Sequence, residues 1–187
     1  MEKVKVVFLD RDGVVNKYPG DFNYVTSVEE FQLLPNVKSA LEKLTASGFK
    51  LFVVSNQAGV AKGLYSLQDL NEIDSRMVFD LGDKVRISET LYCTHRPEEN
   101  CSCRKPKTGL IDEVVADLKD QGFAVDKEHS YFVGDSMIDI ETGQSAGLKT
   151  ILVFSGREKP QNQLHWDRIP DYKADDLSSA AQIIISS

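Results

Sequence analysis

The chain has 187 residues, 41% hydrophobic and 27% charged, and a formal net charge of −7. That length supports one full core of ordinary globular composition, and the acidic balance argues against a nucleic-acid partner, which needs a basic face. No apolar run approaches the ~18–20 residues of a membrane span and no signal-like apolar segment opens the chain, so a cytoplasmic protein without a membrane partner is expected.

Val6-Val7-Phe8-Leu9 reads as a strand buried on both faces. It stops at Asp10-Arg11-Asp12, and Gly13 lets the backbone turn off the strand end. Asn16 to Pro35 is loop-rich. Asn36 to Ser47 has Val37, Ala40, Leu41 and Leu44 on one helical face, with Gly48 as a stop signal. Leu51 to Val54 is a second buried strand ending at Ser55-Asn56-Gln57, and the glycine-bearing loop Ala58 to Tyr65 follows. Ser66 and Asp69 have the spacing of a capping box, opening a helix with Leu70, Ile73, Met77 and Leu81 inward. Glu89 to Tyr92 is a third strand. Thr108 is placed to cap a helix with Leu110, Val114, Val115 and Leu118 inward, closed by Gly122. Tyr131 to Val133 is a fourth strand ending at Gly134-Asp135. A helix to about Ala146, a fifth strand over Thr150 to Phe154, a polar loop over Gly156 to Pro170 and a last helix over Leu177 to Ile185 complete the chain. Strands and helices alternate, so the expected fold class is α/β, a Rossmann-like three-layer sandwich with a mostly parallel sheet. No repeat or linker divides it, so residues 1–187 are expected to form one domain. A monomer is expected.

Open α/β sheets bind ligands outside the carboxyl ends of their strands. Asp10 and Asp12, Ser55-Asn56-Gln57 and Asp135 all fall at such ends, with Arg104-Lys105 between the third and fourth strands. Acids gathered there repel one another unless a cation intervenes. The chemistry they suit is phosphoryl transfer: Asp10 attacks phosphorus, and Asp12 donates a proton to the leaving oxygen and later takes one from water. The carboxylates of Asp10 and Asp135 with the main-chain carbonyl of Asp12 suit Mg²⁺, a hard oxygen-seeking ion. Ser55, Asn56, Gln57, Arg104 and Lys105 are candidates to hold the phosphoryl oxygens. Asp139, one helical turn past Asp135, either steadies this group or is a solvated first-turn acid.

The chain's three cysteines sit with a histidine in Cys93-x-His95-x5-Cys101-x-Cys103. Three thiolates and an imidazole match a closed structural Zn²⁺ site; buried free thiols beside an incidental histidine are the other reading. Neither makes a disulfide framework.

Asp10-Arg11-Asp12-Gly13-Val14-Val15-Asn16, Ser55-Asn56-Gln57, Arg104-Lys105-Pro106 and Gly134-Asp135 with Asp139 resemble the four motifs of the haloacid dehalogenase-like phosphatases. The closest branch comprises the heptose bisphosphate and histidinol-phosphate phosphatases. The resemblance implies the nucleophile, acid/base and Mg²⁺ roles above, a zinc-bound loop of the Cys-x-His…Cys-x-Cys form, and no large cap domain. It implies a small-molecule phosphate ester as partner. The loop Ser55 to Gly63 favours D-glycero-D-manno-heptose 1,7-bisphosphate, although Lys62, Ala58 and Ser136 depart from that branch. Histidinol phosphate or another small sugar phosphate is the alternative substrate, and a phospho-aspartate receiver domain the non-enzyme one.

Overall fold

Strand pairing sets the position of every polar strand end. The computed structural model describes residues 1–187 and contains β1 (Glu2–Val4), β2 (Val6–Leu9), α1 (Val37–Ala46), β3 (Lys50–Asn56), α2 (Leu67–Leu81), β4 (Ile87–Cys93), α3 (Gly109–Asp120), β5 (Phe123–Val125), β6 (Tyr131–Gly134), α4 (Met137–Ser145), β7 (Lys149–Val153), β8 (Tyr172–Ala174) and α5 (Leu177–Ser186). Six strands form a parallel sheet in the order β4-β3-β2-β6-β7-β8, and β1 pairs with β5 in a separate parallel ribbon. From β2 the chain winds to β3 and β4 on one side, then returns to β6, β7 and β8 on the other. The strand order reverses between β2 and β6, where such sheets open a crevice.

Alternation along the strands divides the core. Val7 and Leu9 of β2 face α1, α2 and α5, together with Leu51, Val53, Tyr131 and Val133. Val6 and Phe8 face α3, with Phe52, Val54 and Phe132. α4 packs on this second face, where Gly143 lies so close to Phe132 and Thr150 that a Cβ would collide with both. The result is three layers, with helices on both sides of a parallel sheet, as the alternation of elements predicts. No helix is long and apolar enough to cross a membrane.

Ser66 and Asp69 form the expected box, with Ser66 Oγ accepting from Asp69 N at 3.1 Å and Asp69 Oδ2 accepting from Ser66 N at 2.7 Å. Thr108 stands at the start of α3 but makes no backbone cap; its hydroxyl donates to Asp112 Oδ2 at 2.8 Å. β1, β5 and β8 lie in stretches where the sequence pattern predicts no strand. Each has three residues, too few to display a period of two. The polar loop after β7 includes a 3₁₀ turn over Pro160–His165.

Candidate active site

β2 and β6 are neighbours, so their polar ends meet. Asp10 N donates to Val133 O at 3.0 Å, which sets the first residue beyond β2 against the end of β6. Gly13 has φ +90, and a Cβ there would collide with the Asp135 carboxylate; so would one on Gly156. Two glycines therefore give Asp135 room to approach the turn after β2. Asp10, Asp135 and Asp139 bring carboxylate oxygens within 4.8 Å of one another.

One cation faces these three acids. Lys105 Nζ lies 3.0 Å from Asp10 Oδ1 and 2.6 Å from Asp139 Oδ1, and donates to Val54 O at 3.1 Å. Its backbone is clasped by Asn56, whose Oδ1 accepts from Lys105 N at 3.0 Å while Nδ2 donates to Lys105 O at 3.1 Å. Asp139 is 1% exposed, so it is no solvated first-turn acid. Its Oδ1 takes Lys105 and its Oδ2 accepts from Ser136 Oγ at 2.6 Å.

The charge balance favours a further cation. Burial pushes the Asp10 carboxyl up to about 6; Lys105 opposes the shift, and repulsion from Asp139 and Asp12 adds to it. Burial, then Asp10 and Asp139, raise Asp135 well above the usual carboxylate range. Burial works against the Lys105 cation, but Asp10 and Asp139 more than offset it and hold its pKa above the ordinary lysine value. Asp10 Oδ1 also accepts from Arg11 N at 2.8 Å, and Asp135 Oδ2 accepts from Arg157 N at 2.7 Å. That leaves Asp10 Oδ2 and Asp135 Oδ1 without protein donors, as a hard divalent cation requires. Both Asp139 oxygens are already engaged, so Asp139 fits the second layer around such an ion.

These groups open into a cavity of about 350 Å³ lined by Asp10, Asp12, Ser55, Asn56, Arg104 and Lys105, among others. Gln57, expected among the phosphate contacts, is fully buried behind Asp12 and does not line the cavity. Its amide donates to Asp12 Oδ2 at 2.8 Å and to Ser55 Oγ at 3.2 Å. The rim adds Lys62, Tyr24, Asp21 and Arg157. Lys62 Nζ donates to Tyr24 Oη at 3.1 Å, and Arg157 Nε lies 3.1 Å from Asp21 Oδ1. Sequence reasoning passed over Arg11 and Arg157. Nothing in the spacing says that the first is fully buried or that the second reaches back to the rim.

A second cluster sits beside the first. Cys93, His95, Cys101 and Cys103 also bring one donor atom each within 4.8 Å. The sulfurs are 3.0 to 3.5 Å apart, and His95 Nδ1 is 3.2 Å from Cys103 Sγ and 3.7 Å from Cys93 Sγ. Ligands about 2.3 Å from one tetrahedral ion would be about 3.8 Å apart, slightly wider than this cluster. All three sulfur separations are far too long for disulfides. Burial pushes the Cys93 thiol up to about 12, so ionising it at neutral pH takes a cation. Cys93 ends β4, beside Asn56 at the end of β3, and Arg104 Nη1 donates to His95 O at 3.3 Å. The loop that carries the sulfurs thus leads directly into Arg104 and Lys105.

A family model described as HAD-hydrolase-like matches residues 102–180. The chain is 37% identical to a D-glycero-D-manno-heptose-1,7-bisphosphate 7-phosphatase of Chlorobaculum tepidum, over 96% of this chain and 94% of the relative. It is 36% identical to a D-glycero-beta-D-manno-heptose-1,7-bisphosphate 7-phosphatase of Haemophilus ducreyi, over 82% of this chain and 85% of the relative. Among solved structures it superposes on the D,D-heptose 1,7-bisphosphate phosphatase of B. bronchiseptica, complexed with magnesium and phosphate. The TM-score is 0.86 at 30% identity, covering 98% of this chain and 99% of that one.

Proposed function

The chain belongs to the haloacid dehalogenase-like phosphatases, which are phosphoric monoester hydrolases, and from that premise we propose that it removes the 7-phosphate of D-glycero-D-manno-heptose 1,7-bisphosphate. The observation that carries this reading is the meeting of Asp10, Asp135 and Lys105 at the reversal point of the sheet, in a chain that matches heptose bisphosphatases over nearly its whole length.

Asp10 is the nucleophile. Its carboxylate attacks phosphorus as the bond from phosphorus to the sugar oxygen breaks, and an aspartyl-phosphate forms. Asp12 gives its proton to the departing sugar oxygen. It then takes a proton from the water that attacks phosphorus, and Asp10 is released with inorganic phosphate. Lys105 and the Ser55 hydroxyl hold the phosphoryl oxygens, with Arg104 on the cavity wall beside them. Asp139 and Asn56 keep Lys105 in place. Asp10, Asp135 and the Asp12 carbonyl would hold Mg²⁺, which neutralises charge on the transferring phosphoryl group. Cys93, His95, Cys101 and Cys103 would hold Zn²⁺ and fix the approach of Arg104 and Lys105.

The rim supports a substrate with a second phosphate. Lys62, Arg104 and Arg157 all line the cavity, whereas cationic histidinol would want unpaired acids there. Asp21, the acid at the rim, is already paired with Arg157. That pair is 47% and 59% exposed and contributes little, so the preference for a dianion rests on the three cations and not on the pair. We further read the protein as a cytoplasmic monomer. Parallel measurement of kcat/KM on heptose 1,7-bisphosphate, histidinol phosphate and simple sugar phosphates tests the substrate. The bisphosphate is expected to lead, and a lead for histidinol phosphate overturns the assignment.

A further inference from the structure

Arg11 is fully buried, uncommon for an arginine, and its guanidinium forks onto Asp12. Nε and Nη2 lie 3.2 and 3.1 Å from Oδ1, and Nη2 is 3.2 Å from Oδ2. The guanidinium rests 5.6 Å from the centre of the Tyr92 ring, and Tyr92 Oη is tied to Asp74 Oδ1 at 2.8 Å. The Asp12 carboxylate is held from two further directions. Asn16 Nδ2 donates to Oδ1 at 2.9 Å, and Gln57 Nε2 donates to Oδ2 at 2.8 Å. The Gln57 amide is itself oriented: Tyr65 Oη donates to Gln57 Oε1 at 2.5 Å, so the amide NH₂ must face Asp12. Gly59 makes the seat for Tyr65, since a Cβ there would collide with the Tyr65 ring.

An acid that must deliver a proton to a leaving oxygen has to stand about 2.6–3.2 Å from it, and a displacement of about 1 Å can cost about 10²-fold in rate. Asp12 lines the cavity from the start of the turn that runs to Asn16. We infer that Arg11, Gln57 and Tyr65 are positioning residues that fix the Asp12 carboxyl at the cavity wall. This rests on the reading of Asp12 as acid and base given above. A fork on one side and an oriented amide on the other remove the rotamers that point elsewhere.

Leaving-group dependence separates aiming from mere support of the fold. The rate of aspartyl-phosphate formation is measured in a rapid-quench burst with two esters. One is a sugar phosphate, whose alkoxide needs a proton to depart. The other is p-nitrophenyl phosphate, whose phenolate leaves without one. Arg11→Lys, which replaces a two-pronged donor by a point donor, is expected to lower the sugar-to-aryl ratio of burst rates by about 30-fold or more. Tyr65→Phe keeps the buried ring and removes only the hydroxyl that orients Gln57. It is expected to lower the same ratio by about 3- to 10-fold, and it remains informative if Arg11→Lys does not fold. Equal slowing of both esters, or an unchanged ratio in Tyr65→Phe, overturns the inference. Asp12→Asn is the control. If it leaves the ratio unchanged, the acid role of Asp12 itself fails, and the aiming of that acid fails with it.

Discussion

The oxygen cluster and the sulfur cluster are adjacent in space but are built in opposite ways. Asp10, Asp135 and Asp139 come from strand ends and a helix more than a hundred residues apart, and they meet because β2 pairs with β6. Cys93, His95, Cys101 and Cys103 come from one short loop after β4 and need little beyond that loop. The first is an acidic group tied to one buried lysine, with two oxygens left for a hard ion. The second is soft, offers one donor from each side chain, and leaves no open position. A sheet-built site can be tuned for chemistry by each strand independently. A loop-built site can serve as a clip that fixes its own next residues, which in this chain are Arg104 and Lys105 in the proposal above.

Four experiments probe that division. Asp10→Asn removes the proposed nucleophile and is expected to lower kcat by at least about 10⁴-fold, while zinc content by elemental analysis is expected to stay as in the wild type. A joint loss of zinc would mean that the two clusters are one unit. Lys105→Met comes next. It leaves Asp10 and Asp139 buried without their cation, so metal-free stability in urea is expected to fall by about 3–5 kcal/mol. A change below about 1 kcal/mol would show the lysine to be incidental there.

Cys103→Ser, or exhaustive chelation of zinc, tests the clip. Tm is expected to fall by about 5–10 °C, and kcat/KM is expected to fall mainly through KM as Arg104 and Lys105 loosen. Unchanged Tm and kinetics after zinc removal would leave the sulfur cluster without a structural role.

The smallest effect concerns pH. The Asp10 pKa of about 6 in the folded, metal-free protein lies above its ordinary 3.8. Between those values the folded state binds more protons than the unfolded one, so this group's contribution to stability falls as pH rises from about 4 to about 6. Metal-free Asp10→Asn escapes that loss. Its Tm is expected to exceed that of the metal-free wild type at about pH 8 and to converge with it at about pH 4. A gap that does not change with pH would place the strain elsewhere. Mg²⁺ is expected to close the gap at about pH 8 by binding the wild type preferentially.

The amino-acid order alone determined the long elements and the polar strand ends. Val6 to Leu9, the face through Leu70, Ile73, Met77 and Leu81, and the Ser66 box are local patterns, and local patterns can be read without a fold. The grouping of Cys93, His95, Cys101 and Cys103 was legible for the same reason. Tertiary structure alone decided which strand ends meet, that Gln57 turns away from the cavity to hold Asp12, that Asp139 spends its carboxylate on Lys105 and Ser136, and that Arg11 is buried. The three-residue strands β1, β5 and β8 also form only because a partner is already in place. The physical reason is common to all of these. Periodicity reports which face of an element is apolar, but the partner of a buried polar group depends on pairings between distant segments, which no spacing records.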